Sequence, residues 1–286
     1  MKFNLQSSLY YLINGPSTIF ASLRCLENDY QTIADEKLTT DRQIEWEDLR
    51  YGLADNRFTR FSLETPGPLM IQYESVADIY PQLLNKSDVE DDGVRSIHSE
   101  SMPYLFPSRY APSDRLRAVA IDQFGGIKGK LNQALAVEQW IWERITYQHG
   151  SSDEKSSAID TLENRKGVCR DFAHLGIAFC RALTIPARYV TVYSCLLDPQ
   201  DFHAVFEVLV GGRWYLIDAT RKAPLNGMVR IAMGRDASDA AVATLFGNIQ
   251  GNGINVSTLI SNEETTPFQP LYRQDLEENN QVISTI

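Results

Sequence analysis

The sequence predicts an α+β fold with a β-rich N-terminal domain followed by a mixed core. Three observations support this class. Residues 1 to about 100 contain short stretches in which apolar and polar residues alternate. Helical patterns dominate residues 113–183, and strand patterns return at residues 187–219. The composition therefore changes near residue 100, and we expect two domains, residues 1–100 and 101–286.

The N-terminal pattern indicates a small antiparallel sandwich. Apolar residues alternate in three stretches, which are residues 3–5, 58–61 and 69–73. Asparagine, glycine and proline turn signals separate them, as is typical of a sandwich. The acidic residues 87–93 follow, and we interpret them as a surface loop or linker between the domains.

The later elements are predicted from periodicity and from start and stop signals. Helices are expected at residues 113–124, 131–145 and 157–163 and from Cys169 to residue 183. Strands are expected at residues 187–194, 203–210 and 213–219, with weaker candidates at 229–233, 241–246 and 254–260. The polar tail, residues 275–286, is expected to be frayed.

Composition excludes several classes of function. The chain has 286 residues, 27 basic and 37 acidic, and its net charge of −10 argues against nucleic-acid and anionic-membrane partners. No run approaches 18 apolar residues, and the N-terminus lacks the compact apolar region of a signal peptide. We therefore expect a cytoplasmic protein. A phosphate-binding loop and a dinucleotide glycine fingerprint are both missing, so no cofactor is predicted.

Four cysteines and four histidines supply the candidate nucleophiles and ligands. A large chain without a secretion signal points to reduced thiols. Neither a CxxC pair nor an HExxH pair occurs, which argues against a structural zinc site of the usual spacing.

Cys169 is the strongest candidate nucleophile. It lies where a glycine-bearing loop meets a predicted helix, and Arg170 follows it. The positive end of a helix dipole and a neighbouring cation both favour the thiolate, which is the reactive form. The first amides of a helix lack internal partners, so the Cys169 amide is a candidate oxyanion donor. Cys25, Cys180 and Cys195 are expected to be buried small hydrophobic residues.

His203 and Asp218 are predicted to share one face of a β-hairpin. A loop centred on residues 211–212 pairs Val210 with Arg213, which places His203 and Asp218 one diagonal step apart. Diagonal neighbours lie about 7–8 Å apart, so Asp218 could orient the imidazole. A register slip of one residue would separate them. The alternative is an ordinary surface pair.

Other polar and aromatic residues near these positions have simpler explanations. His174 follows Cys169 on the same helix, and packing or a local cap explains it. Glu207 shares the His203 face, where solvent exposure is more frequent than contact with a substrate. The second oxyanion donor is not identified from the sequence. Tyr147, Trp140 and Trp142 precede the cysteine segment, but core packing is the more frequent explanation of aromatic residues there.

Three segments together resemble the bacterial transglutaminase-like proteins, a family described as candidate cysteine proteases. Gly-Val-Cys-Arg-Asp-Phe-Ala-His-Leu at residues 167–175 resembles their nucleophile motif. Residues 201–208 resemble their histidine segment, and residues 213–220 their aspartate segment, in the same order. Residues 107–110 and 234–237 resemble flanking family segments, and the β-rich N-terminus is similar to the companion domain of the family.

The resemblance implies a papain-like transglutaminase core in which helices pack on an antiparallel sheet. It also implies that Cys169 is the nucleophile, that His203 is the general base and acid, and that Asp218 orients His203. Val205 departs from the family pattern, in which an aromatic residue is common, and this difference would alter the cleft beside His203.

These groups predict acyl transfer through a thioester on a peptide or protein substrate. Water as the acceptor gives a peptidase or amidase, which we favour because water needs no dedicated site. A lysine amine gives a transglutaminase, and hydrolysis at glutamine gives a deamidase. A non-catalytic peptide-binding scaffold is a further alternative. A metal site built from Cys169, His203 and Asp218 is weaker, because the sequence offers no fourth ligand.

Overall fold

Two six-stranded antiparallel sheets organise the chain. The computed structural model describes residues 1–91, 93–262 and 267–285, and it has the predicted α+β class. The strands are β1 (Lys2–Ala21), β2 (Gln31–Thr40), β3 (Glu45–Tyr51), β4 (Asn56–Leu63), β5 (Gly67–Ile79), β6 (Gln82–Asn85), β7 (Thr146–Tyr147), β8 (Lys166–Gly167), β9 (Ala187–Ser194), β10 (Phe202–Val210), β11 (Arg213–Ile217), β12 (Met228–Gly234), β13 (Ala243–Ile260) and β14 (Gln281–Ser284). The α-helices are α1 (Arg117–Phe124), α2 (Lys130–Arg144), α3 (Ala158–Asn164), α4 (Cys169–Ala182) and α5 (Arg273–Glu278).

The first sheet is built around β1. Along one side of β1, β4 and β5 lie end to end, and they carry β3 and β2 on their outer edges. β13 pairs with the other side of β1. Alternate side chains of β1, including Phe3, Leu5 and Leu9, are buried, which is the period-two pattern of a sheet with one covered face. The N-terminal part is therefore antiparallel as predicted, but it is one sheet of long strands rather than a small sandwich of two sheets.

The second sheet has the strand order β12-β9-β10-β11-β14-β6. Helix α4 packs on β9 and β10 and also contacts α1, α2 and α3. Nearly every residue of α4 is buried, as its apolar sequence predicts. This helix is thus the centre of the core, and its first residue is Cys169.

The prediction of a frayed C-terminal tail was wrong. The tail, residues 275–286, begins within α5 and continues into β14. In the second sheet β14 lies between β11 and β6. Val282 and Ile283 are buried there. Local composition suggested solvent exposure, but pairing with two distant strands decides the structure of this segment. Ile286 lies outside the described residues.

The two sheets do not divide cleanly at residue 100, because each contains a strand from the other side of this boundary. β6 precedes residue 100 and belongs to the second sheet, whereas β13 follows it and belongs to the first. The two weak strand candidates at residues 241–246 and 254–260 are the ends of this single long strand. The acidic linker is largely exposed, and Asp92 lies outside the described residues. No helix in the described parts of the chain is long and apolar enough to span a membrane.

Candidate active site

The start of α4 places the Cys169 side chain. The Val168 amide donates a hydrogen bond to Asp171 Oδ2 at 2.8 Å, which satisfies one of the free amides at the helix N-terminus. A Cβ atom at Gly167 would lie 2.6 Å from the Asp171 Cβ, so this turn requires glycine. The Arg170 guanidinium lies 3.3 Å from the Asp171 carboxylate. Its charge is therefore shared with Asp171 rather than directed at the thiol alone.

The hairpin of β10 and β11 has the predicted register. Val210 pairs with Arg213, and Phe206 pairs with Ile217. His203 lies near the start of β10, and Asp218 directly follows β11. The two side chains share a face, and His203 Nε2 lies 3.0 Å from Asp218 Oδ2.

The surroundings of this pair hold the imidazole in its charged form. Burial lowers the pKa of His203, but the charge and hydrogen bond of Asp218, and then a hydrogen bond to Cys169, outweigh burial and raise the pKa to about 10. Because Nε2 faces Asp218, Nδ1 is the ring atom left for the thiol. Asp218 also accepts hydrogen bonds from the Thr220 amide and hydroxyl at 2.9 and 2.8 Å. Burial raises the pKa of Asp218. The charge and hydrogen bond of His203, and then the two bonds from Thr220, outweigh burial and lower this pKa.

The four cysteines are free thiols in different environments. Cys25, Cys180 and Cys195 are buried, whereas Cys169 is partly exposed. Burial raises the pKa of each of the three buried thiols. Cys169 is thus the thiol that combines solvent access with a charged neighbour. Within the described residues, no cluster of three or more His, Cys, Asp or Glu side chains has the arrangement of a metal site.

Tyr147 lies at the site, although core packing was the expectation for it; of the two tryptophans expected in the core, Trp140 is buried but Trp142 is 47% exposed. The short parallel pair of β7 and β8 joins Tyr147 to Gly167, which brings its ring to the start of α4. Burial raises the pKa of Tyr147. The charge of the Cys169 thiolate and a hydrogen bond to that side chain raise it further, whereas a hydrogen bond from the Cys169 backbone amide lowers it slightly. The Tyr147 hydroxyl and the Cys169 amide therefore lie together beside the thiol. Two-residue strands are too short to leave a periodic signal, so only the aromatic residue itself was visible.

A cleft extends to both sides of the thiol. The larger part has a volume of about 680 Å³, and the smaller part about 200 Å³. Both are lined by Cys169, Phe202 and His203. An extended chain could therefore lie across the thiol, with its two ends in different pockets.

The two flanking segments that the resemblance identified meet at the larger part of this cleft. The Tyr110 amide donates to Asp236 Oδ2 at 3.0 Å, and the Ala237 amide donates to His174 Nε2 at 3.1 Å. The His174 ring lies between Tyr110 and Tyr189, with ring centroids 5.0 and 5.1 Å away. Burial lowers the pKa of His174 to about 3, so its ring is neutral. His174 therefore packs, as expected, but it also supports the cleft wall.

The expectation of a solvent-exposed Glu207 was wrong. Its carboxylate is fully buried and pairs with Arg188 at 2.6 Å and with Arg230 at 2.7 Å. Burial raises the pKa of Glu207, but the two guanidinium groups outweigh this effect and lower it to about 2. The charges come from three neighbouring strands, so a single strand could not reveal the arrangement.

Comparison with known proteins agrees with this architecture. Residues 117–219 match the transglutaminase-like superfamily, and residues 1–98 match the bacterial transglutaminase N-terminal domain. A candidate cysteine protease from Cytophaga hutchinsonii is 39% identical in sequence to this chain. Its crystal structure matches with a TM-score of 0.94, and the match covers 100% of this chain and 98% of that chain.

Two mycobacterial proteins, both described as uncharacterized, are more distant relatives. The one from Mycobacterium leprae is 29% identical over 161 residues, which is 52% of this chain and 56% of that protein. The one from Mycobacterium tuberculosis is 29% identical over 143 residues, 45% of each chain. The chain thus spans about half the length of these curated relatives. With both of its regions matched and a full-length structural relative at this identity, the chain belongs to the transglutaminase-like superfamily.

Proposed function

We propose that the protein is a thiol-dependent acyl-transfer enzyme that hydrolyses peptide or isopeptide amide bonds. In this proposal Cys169 is the nucleophile, His203 the general base and acid, and Asp218 the group that orients His203. The main support is the bond of 3.0 Å between His203 Nε2 and Asp218 Oδ2, with the Cys169 thiol on the other side of the ring. Membership of the superfamily adds to this support.

Acylation starts from a thiolate and an imidazolium. The Cys169 sulfur attacks the amide carbon, and the oxygen takes the negative charge. The Cys169 amide and the Tyr147 hydroxyl are the two donors beside the thiol, and we assign the oxyanion to them. His203 then gives its Nδ1 proton to the leaving nitrogen as the carbon–nitrogen bond breaks. The products are a free amine and a thioester on Cys169.

Deacylation uses the same groups in the opposite sense. Neutral His203 removes a proton from water, and the hydroxide oxygen attacks the thioester carbon. The carbon–sulfur bond breaks, a carboxylic acid leaves, and Cys169 returns to the thiolate beside the imidazolium. The balance is one amide and one water consumed, and one amine and one acid released.

Transamidation is the second candidate. The smaller part of the cleft is lined by Asp198 and Asp201, whose carboxylates could attract the amine of a lysine acceptor. Lys222 lines the same pocket and opposes this attraction, so the pocket does not strongly favour a cation. Water requires no pocket, and hydrolysis is therefore the first choice.

A peptide library incubated with the enzyme, with and without a primary amine, distinguishes these reactions by mass spectrometry. Cleaved peptides are the expected result. Incorporation of the amine at glutamine with loss of ammonia would indicate a transglutaminase, and conversion of glutamine to glutamate a deamidase.

The control for this experiment is Cys169→Ala, which removes the nucleophile and little volume. We expect it to abolish turnover. Full turnover by this variant would contradict a thioester mechanism for any of the products. If the wild-type enzyme transforms no peptide and Cys169 is also unreactive toward alkylating reagents, the scaffold alternative is preferred.

The peptide or protein partner and the cytoplasmic location stay predictions. Cell fractionation with an antibody against the chain tests the location. Recovery in a secreted or envelope fraction would contradict it.

A further inference from the structure

The long strand β13 has an open edge that begins inside the cleft. Among the described residues, β13 pairs only with β1. Its first three residues, Ala243 to Leu245, line the larger part of the cleft together with Cys169 and His203. A polypeptide that pairs with this end of β13 would therefore enter the same cleft as the thiol.

Hydrogen bonding of the neighbouring residues shows which backbone groups face the open edge. The Ser22 amide donates to the Val242 carbonyl at 2.8 Å, and Ala21 pairs with Ala243. In an antiparallel ladder, backbone groups point alternately toward the partner strand and away from it. The amide and carbonyl groups of Ala243 and Leu245 therefore point away from β1.

The opposite end of β13 illustrates that such outward groups bind a partner when one is near. There the Thr258 amide points away from β1 and donates to Gln200 Oε1 at 2.8 Å. A side chain of the protein thus covers that part of the edge. The end of β13 inside the cleft has open space beside it instead.

The composition of β13 is unusual for an edge strand. Its 18 residues include no charged side chain and no proline. Leu245 and Phe246 are 38% and 56% exposed. Proteins ordinarily protect open edges with charges, proline or coverage, since an unprotected edge pairs with other chains. An edge without these features is consistent with one that pairs as part of its function.

We propose that the β13 edge at Ala243 and Leu245 binds the substrate polypeptide as an added strand and delivers it to Cys169. The inference rests on the proposed function. The occupant is an extended segment of a substrate, because the edge is continuous with the cleft that holds the thiol. In strand addition the main-chain bonds supply affinity and alternate side chains supply selectivity. The substrate class is therefore a flexible or unfolded segment rather than a folded surface.

Two alkylating reagents of different length test this inference. Iodoacetamide reports the reactivity of the thiol, and acetyl-tetra-alanine chloromethyl ketone adds an extended backbone, with chloride leaving as the carbon–sulfur bond forms. The measured quantity is the ratio of their second-order rate constants at Cys169. Leu245→Pro removes the outward amide, and proline is tolerated where an edge amide faces solvent. The control Leu245→Ala shortens the side chain and keeps the amide.

We expect the ratio for Leu245→Pro to lie about fivefold below that for Leu245→Ala, the loss typical of one hydrogen bond. A second measurement leaves the protein unchanged: methylation of each reagent amide in turn should lower the wild-type ratio about fivefold where that amide donates to the Ala243 or Leu245 carbonyl, and not elsewhere. The methylated amide loses a donor to the Ala243 or Leu245 carbonyl, and Leu245→Pro keeps both carbonyls, so this loss should persist in the variant. This second series decides the question if Leu245→Pro does not fold.

Three results would overturn the inference. The first is a ratio for Leu245→Pro within about twofold of that for Leu245→Ala, together with ratios for the methylated reagents within about twofold of that for the unmethylated one. Both together would show that no added strand forms. A wild-type dimer in sedimentation that Leu245→Pro converts to monomers would assign the edge to a second copy of the chain. Failure of iodoacetamide to react with Cys169 would contradict the proposed function itself, and the inference with it.

Discussion

At the scale of single residues, the charge on His203 depends on neighbours from separate segments. Asp218 comes from the other strand of the hairpin, and Cys169 comes from the start of α4. The pKa of His203, about 10, lies above the ordinary value of about 6.5. The stability that its charge contributes is therefore complete below about pH 6.5 and is lost as the pH rises toward about 10.

Asp218→Asn should lower the pKa of His203, because the variant removes the largest of the effects that raise it. We expect a decrease of at least about one unit, measured from the ring proton shifts of His203 by NMR. Asp198→Asn is the control, since this carboxylate lines the smaller pocket and takes no part in the His203 bond. An unchanged titration in Asp218→Asn would contradict the electrostatic role of Asp218.

Tyr147→Phe should lower kcat about a hundredfold to a thousandfold and leave KM nearly unchanged, because one donor to the oxyanion is lost. Steady-state kinetics on a peptide found in the library experiment measures this effect. Tyr147→Trp supplies an indole N–H in place of the hydroxyl, and we expect it to recover part of kcat. Wild-type kcat in the phenylalanine variant would mean that the second donor is another group.

Residue-level prediction from the sequence succeeded where the signal is local. Cys169 was identifiable because helix-start chemistry and a short motif surround it, and the His203 and Asp218 pairing follows from hairpin length. Tyr147 and Glu207 were misjudged because contacts between distant segments determine their surroundings. Catalytic roles for the three predicted residues stay predictions until they are tested.

At the scale of elements, the distance between α4 and β10 controls how thiol and imidazole meet. A Cβ atom at Gly176 would lie 2.5 Å from the ring of Phe206, which is fully buried on β10. Real Cβ atoms do not approach other atoms so closely, so the helix can lie at this distance only with glycine.

Gly176→Ala should therefore destabilise the fold by about 1–3 kcal/mol, the usual cost of overpacking a core. Denaturant unfolding measures this change in free energy. In a background of Phe206→Leu the smaller side chain gives room, and the cost of Gly176→Ala should fall. If the changes in the free energy of unfolding caused by the two substitutions were strictly additive, the two residues would not share this contact.

The elements themselves were largely predictable, and the exceptions have a common cause. Strong periodicity placed the main helices and β9 to within a few residues. β13 appeared as two weak strands because both of its faces are mostly exposed. α5 and β14 were missed because partners far away in the sequence stabilise them.

At the scale of the whole molecule, the two sheets exchange strands across the linker. The N-terminal segment contributes β6 to the second sheet, and the C-terminal segment contributes β13 to the first. Alternating composition could predict two sheets, but it contains no information on which distant strands pair. Neither sheet is complete without both halves of the chain.

Cleavage between the halves should therefore leave them associated. A protease recognition site inserted after Ile97, a few residues beyond the acidic linker, allows one cut under native conditions. We expect the two fragments to elute together in size-exclusion chromatography and to separate in denaturant. Separate elution of folded fragments without denaturant would contradict the exchange of strands.

The central claim is that His203 activates Cys169 as a nucleophile. Its most direct test is the rate of alkylation of Cys169 by iodoacetamide at about pH 6, in the wild-type protein and in His203→Gln. The account predicts that Cys169 reacts before Cys25, Cys180 and Cys195, and that its rate falls at least about tenfold in the variant, because the thiolate loses its imidazolium partner. Equal rates in the two proteins would contradict the account, since exposure alone would then explain the reactivity of the thiol.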